Sequence, residues 1–173
     1  YEIMLKTQEI STLVFKERNL IQELFSKEWD NNQKIFREPK QNRKTVIKNY
    51  LKELLTGKPA KEYSGPSPAR LKVFIDSSVN INLDKKTGYL SLSAENSKPE
   101  LLIRLLKSMI KNTDNLFKKK FIKQANDAVQ FYQIKISKAR SQEHREILAT
   151  LIAKEERKLL LATRDGPFVA EIL

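Results

Sequence analysis

From Glu100 to Asp165 the chain contains neither glycine nor proline, and no other feature constrains its fold so strongly. Within that run Leu102, Leu106, Met109, Phe117, Phe121, Ala125, Ala128, Tyr132 and Ala139 recur at intervals of three, four or their sums. That spacing is the repeat of one face of an α-helix. A continuous helix of about 40 residues is about 60 Å long, whereas a compact chain of 173 residues has a radius of gyration on the order of 15–16 Å. Part of the helix must therefore project or pack on neighbours.

The spacing predicts an interruption around Ser137 to Glu143, where Ser141 can cap a second helix. That helix carries Ile147, Leu148, Leu151, Ile152, Leu159 and Leu160. Two helices with matching stripes would fold back as an antiparallel pair, with a single bent helix as the alternative. Gly166-Pro167 ends the helical pattern, and Phe168 to Leu173 is a candidate final strand.

A different period precedes the long run. Val79, Ile81 and Leu83 alternate with polar residues, Asp84 to Gly88 interrupts, and Leu90, Leu92 and Ala94 alternate again. This pattern predicts a β-hairpin, with Gly88 supplying a positive φ and Asp84 bonding its own turn. Upstream, Tyr63 to Pro68 (YSGPSP) is turn material and an internal boundary. Ser67 is placed to cap a short helix that starts at Pro68 and turns Leu71, Phe74 and Ile75 inward. The first thirty residues are expected to be helical, with Met4, Leu5, Ile10, Leu13, Val14, Leu20, Ile21, Leu24 and Phe25 at helical spacing. A break is expected near Asn19, and Trp29 and Asp30 end the helix. Arg43 to Leu55 forms another amphipathic segment, with Val46, Ile47, Tyr50, Leu51, Leu54 and Leu55 on one stripe.

Charge narrows the partners. The chain carries a formal net charge of +12. Residues 31–63 hold nine Lys and Arg against three Asp and Glu, and residues 98–125 hold eight against two. The first cluster contains Lys34, Arg37, Lys40, Arg43, Lys44, Lys48 and Lys52. The second contains Arg104, Lys107, Lys111, Lys118, Lys119, Lys120 and Lys123. Localised positive charge attracts polyanions such as nucleic acid, anionic glycan or lipid headgroups; lysines that simply solvate helix surfaces are the plainer explanation.

Chemistry is harder to place. With no cysteine and one histidine, thiolate sites, disulfides and histidine-rich metal centres are excluded, so neither a cofactor nor a metal is expected. His144 lies in SQEHRE without a nucleophile signature beside it. Glu143/Glu146 and Glu155-Glu156 sit on a Lys-rich helix, where carboxylates usually pair with cations one turn away. No glycine-rich phosphate loop occurs, and no catalytic residue is assigned. Trp29 is expected to anchor a core rather than stack on a sugar. No apolar run reaches the length of about 18 residues that a membrane span requires.

The order of these segments resembles the periplasmic domain of bacterial chain-length determinant proteins, the polysaccharide co-polymerases. The resemblance rests on LFSKEWD (Leu24 to Asp30), the DKKTG turn (Asp84 to Gly88), the proline-started helix and the triplet Lys118-Lys119-Lys120. It continues through the alanine-spaced stretch Ala125 to Tyr132 and HREILATLIAKEERKLLLA (His144 to Ala162) to the strand Phe168 to Leu173. It covers about four fifths of the chain in order, and Arg37 to Pro66 fits poorly. The resemblance implies an α+β fold in one periplasmic domain. Its base, from residues 1–97 and 164–173, would hold the hairpin and the C-terminal strand in one sheet; residues 98–163 would form a projecting helical arm.

It also implies an inner-membrane protein with a transmembrane helix near each terminus, outside these residues. Such proteins form homo-oligomers that set polysaccharide chain length beside a membrane polymerase, as regulators rather than enzymes. On that view Arg104, Lys107, Lys111, Lys118, Lys119, Lys120 and Lys123 are candidate contacts for anionic glycan or for the polymerase. The alternative is a cytoplasmic nucleic-acid-binding helical module, but the aromatic interleaving and glycine-rich signatures of common modules are missing, so nucleic acid is not the expected partner.

Overall fold

The computed structural model describes residues 2–39, 63–95 and 98–169. The described chain is mixed α+β, with six helices and two small antiparallel sheets among the described residues. It divides into two compact units, Glu2–Leu106 and the chain from Lys107 onward.

The first unit begins with three short helices, α1 (Glu2–Leu5), α2 (Gln8–Phe15) and α3 (Arg18–Leu24). The single break expected near Asn19 is instead two breaks, at Lys6–Thr7 and at Lys16–Glu17. The first has a local cause: Thr7 adopts extended backbone and its hydroxyl accepts from Ile10 N–H, so it caps α2 rather than continuing α1. Trp29–Asp30 (β1) pairs with Ile35–Phe36 (β2), a ribbon absent from the sequence reading. Asp30 accepts from the Asn32 and Gln33 amides at 2.9 and 3.2 Å, and Lys34 takes a φ of 54° to close the turn. The Trp29 and Phe36 rings meet edge to face at 4.9 Å.

Helix α4 (Pro68–Ser78) starts as expected, with Ser67 Oγ accepting from Arg70 N–H and Pro68 in the first turn. It packs on α2. Ile10 and Val14 on α2 and Leu71 and Ile75 on α4 are fully buried, so these two helices carry the centre of the core, with Leu5 of α1 and the next residue after α4, Val79, fully buried as well. Phe74 is only half-buried. The hairpin follows directly: β3 (Val79–Leu83) pairs with β4 (Leu90–Ala94), with Val79 opposite Ala94 and Leu83 opposite Leu90. Gly88 has a φ of 75°. Asp84 holds the turn by accepting from Lys86 N–H and from the Thr87 hydroxyl, both at 2.8 Å. The same bonds lower the Asp84 carboxyl pKa, the backbone amide of Lys86 first.

Helix α5 (Pro99–Lys138) has 40 residues, and α6 (Gln142–Thr163) has 22. The interruption falls at Ala139–Ser141, within the predicted window, and Ser141 Oγ accepts from His144 N–H. In the second unit, α6 returns along the later part of α5. Lys118 Nζ donates to the Arg164 carbonyl at 2.9 Å, and the Phe121 and Phe168 rings lie 5.2 Å apart. The buried and half-buried side chains include Phe121, Ala125, Ala128 and Tyr132 on α5 and Leu148, Leu151, Ile152, Leu159 and Ala162 on α6, and Ala139 is half-buried in the link between them. Ile147 and Leu160, expected on that stripe, are instead exposed.

Two expectations meet the edge of the described chain. The Arg43 to Leu55 segment lies outside the described residues. Of the candidate strand Phe168 to Leu173, Phe168 and Val169 are described and occupy a bend without strand pairing. Their amides bond a side chain of α5 instead. Residues 170–173 lie outside the described residues.

Candidate functional site

The predicted cationic residues all lie on α5, and the helix sorts them. Each residue turns the helix by about 100°, so Lys107, Lys111 and Lys118, spaced by four and seven, share one line. Lys119, Lys120 and Lys123 project from about 100° or more further round, largely on the opposite side of the helix. Lys107, Lys111, Lys119, Lys120 and Lys123 are exposed.

Arg104 and Lys118 make structural contacts that the sequence did not show. Arg104 belongs to the first unit, where its guanidinium forks onto the Glu23 carboxylate, one contact being 3.0 Å. Hydrogen bonding to Arg104 holds the Glu23 pKa down and raises that of Arg104. Lys118 is half-buried and its ammonium caps the end of α6 through Arg164. Of the other predicted basic cluster, Arg37 lies 3.6 Å from Asp30, Lys34 serves the turn, and Lys40 to Lys52 lie outside the described residues.

The exposed lysines place point charges on two sides of one helix, Lys107 and Lys111 on one and Lys119, Lys120 and Lys123 on the other. Such charges attract a polyanion over a range of about 10 Å at moderate salt and are sequence-blind. Bond-making chemistry would need more. His144 is exposed at the start of α6. Glu155 bonds Lys158 at 2.6 Å, the i,i+3 pairing its setting predicted. Among the described residues, no group of three or more His, Asp or Glu converges in a way that could hold a metal ion. No helix of the described residues is long and apolar enough to cross a membrane.

Sequence reasoning missed two polar clusters. In the first unit, Arg70 donates to both Glu28 oxygens at 2.7 and 2.9 Å and to the Ser64 carbonyl at 2.7 Å, with its guanidinium 5.2 Å over the Phe25 ring. Tyr63 donates to the same carboxylate at 2.7 Å. Arg70 thereby lowers the Glu28 pKa, while burial and the carboxylate raise that of Tyr63. In the second unit, Asp114 is 8% exposed and accepts from Phe168 N–H at 2.8 Å and Val169 N–H at 2.6 Å. A signal for it was present: Asp114 is the one acid between Leu101 and Asn126. No protein-family model, curated protein or solved structure matches this chain.

Proposed function

We propose that the chain is a periplasmic domain of a non-enzymatic regulator of surface polysaccharide chain length, acting as a homo-oligomeric scaffold beside a membrane polymerase. The observation that carries this reading is the succession of elements. A capped helix, a hairpin turned by DKKTG, a proline-started helix of 40 residues and a returning helix follow in the order the resemblance requires. Exposed apolar side chains on the paired helices, Phe131 and Ile134 on α5 and Leu160 and Leu161 on α6, support packing against neighbouring copies. Exposed Lys119, Lys120 and Lys123 supply the positive surface for anionic glycan or for the polymerase.

The mass of the full-length protein in detergent tests the scaffold: a multi-subunit particle is expected, and a strict monomer refutes it. Reversal of charge at Lys119, Lys120 and Lys123 together is expected to shift the modal length of the product at unchanged protein abundance. Lys118 is left intact because its ammonium holds the end of α6. An unaltered length distribution removes that surface from the proposal. The net charge of +12 favours a nucleic-acid-binding module as the competing reading. Saturable binding of DNA or RNA at low salt, with no effect of the protein on glycan length, would replace the first reading with that one.

A further inference from the structure

The segment leaving α6 is tied to α5 by three separate contacts. The Lys118 ammonium holds the Arg164 carbonyl, both Asp114 oxygens hold the Phe168 and Val169 amides, and the Phe168 ring lies against Phe121. Between them Gly166 takes a φ of 109°, which turns the chain back onto the helix. These ties sit at the open end of a helical pair whose other end is the three-residue link Ala139–Ser141.

The seam between those ends is thin. Ala162 is the one buried side chain of α6; Leu148, Leu151, Ile152 and Leu159 are half-buried, and Ile147, Leu160 and Leu161 are exposed. Most helical stability in proteins comes from packing of an apolar face, and here that face is only partly covered. A buried carboxylate that accepts two main-chain N–H bonds is a strong tie, because the bonds are charge-assisted and each amide would otherwise lose a partner.

We infer that Asp114, Lys118 and Phe121 form a latch on the strap 164–169, and that the latch determines whether α6 lies along α5 or swings away about the Ala139–Ser141 link. Release exposes Ala125, Leu151 and Leu159 together, an apolar stripe that the closed pair partly covers. This inference stands on the geometry of the second unit and does not depend on the proposed function.

The chain has no cysteine, so nitroxide labels on Lys119→Cys and Arg157→Cys report the separation of the two helices directly. The otherwise unaltered 173-residue chain is expected to give one narrow distance distribution. Asp114→Ala is expected to broaden and lengthen it, and to raise amide exchange across α6 by about tenfold or more. Exchange in α4, in the first unit, should not change. If α4 also exchanges faster, the variant has lost its fold; Lys118→Met combined with Phe168→Ala then loosens the strap without touching the buried acid. The inference is overturned if, in whichever variant keeps α4 protected, the Phe168 and Val169 amides exchange freely while the distance distribution and α6 protection stay as before.

Discussion

The two units of this chain solve the burial problem in opposite ways. Among the described residues, Glu2–Leu106 buries eleven apolar side chains, from Leu5 to Leu105, while the chain from Lys107 onward buries Met109, Ala125 and Ala162. Short helices in the first unit are held by tertiary packing, since none is long enough to persist alone. Long helices in the second are held by their own backbone ladders, by caps and by a few polar ties. Substitutions in the first unit should therefore act on the whole unit at once. Those in the second should act on the element they cap or tie rather than on the whole unit.

The largest effect is expected from Ile75→Ala. Ile75 is fully buried on α4 against α2, so the lost transfer energy and the cavity together cost about 2–5 kcal/mol. Trp29, the only tryptophan, lies in this unit and reports its urea transition. A midpoint that does not move would mean that the core is not centred where α2 and α4 meet.

Next comes Glu28→Gln, which leaves Arg70 and Tyr63 without their shared carboxylate. Side chains here are 35% exposed for Arg70 and 12% for Glu28, so the cost at neutral pH is about 1–2 kcal/mol rather than that of a fully buried pair. The sign with pH follows from the lowered native pKa of Glu28. Its contribution is complete above the ordinary glutamate value near 4.5 and is lost as pH falls through the lower native value. Glu28→Gln should therefore lower the neutral plateau of stability and flatten part of its acid limb. Parallel urea titrations of both proteins between neutral and acidic pH measure this, and equal acid slopes would show that the pair is not coupled to folding.

Ser141→Ala probes the other unit. Loss of the cap hydroxyl from His144 N–H costs about 1 kcal/mol, and it should be felt in the first turn of α6. Faster amide exchange there, with an unmoved Trp29 urea transition, is the expected result. A shift of both would join the two units into one cooperative block and break the contrast.

What was legible in the sequence was local. Ser67 and Ser141 cap helices over three residues, Gly88 and Asp84 close a turn over a handful, and the absence of glycine and proline after Pro99 permits a helix of 40 residues. Thr7 was hidden because a capping threonine inside an apolar periodic window looks like a helical residue until its backbone is known. The β1–β2 ribbon was hidden because strands of two residues have no alternation to detect. The latch and the Arg70–Glu28 pair were hidden for a stronger reason: their partners are 54 and 42 residues apart, and only the path of the chain brings them together. At the candidate site the number of lysines was legible, but not that Arg104 and Lys118 are occupied by Glu23 and Arg164.

Thr113 supplies the smallest and most local test of the contrast. It is fully buried on α5, and its hydroxyl has no hydrogen-bond partner among the described residues. A buried hydroxyl without a partner forfeits its hydration and gains nothing in exchange. Thr113→Val keeps the shape and β-branching and removes the orphaned group, so it should stabilise α5 by a few tenths to about 1 kcal/mol. Thr113→Ser keeps the hydroxyl and deletes the methyl, and should destabilise by about 1 kcal/mol. Helical ellipticity followed through thermal unfolding separates the two variants. Opposite signs would place the methyl in the packing and the hydroxyl in surplus, whereas destabilisation by both would mean that the hydroxyl is bonded and that this unit holds a polar tie beyond its latch.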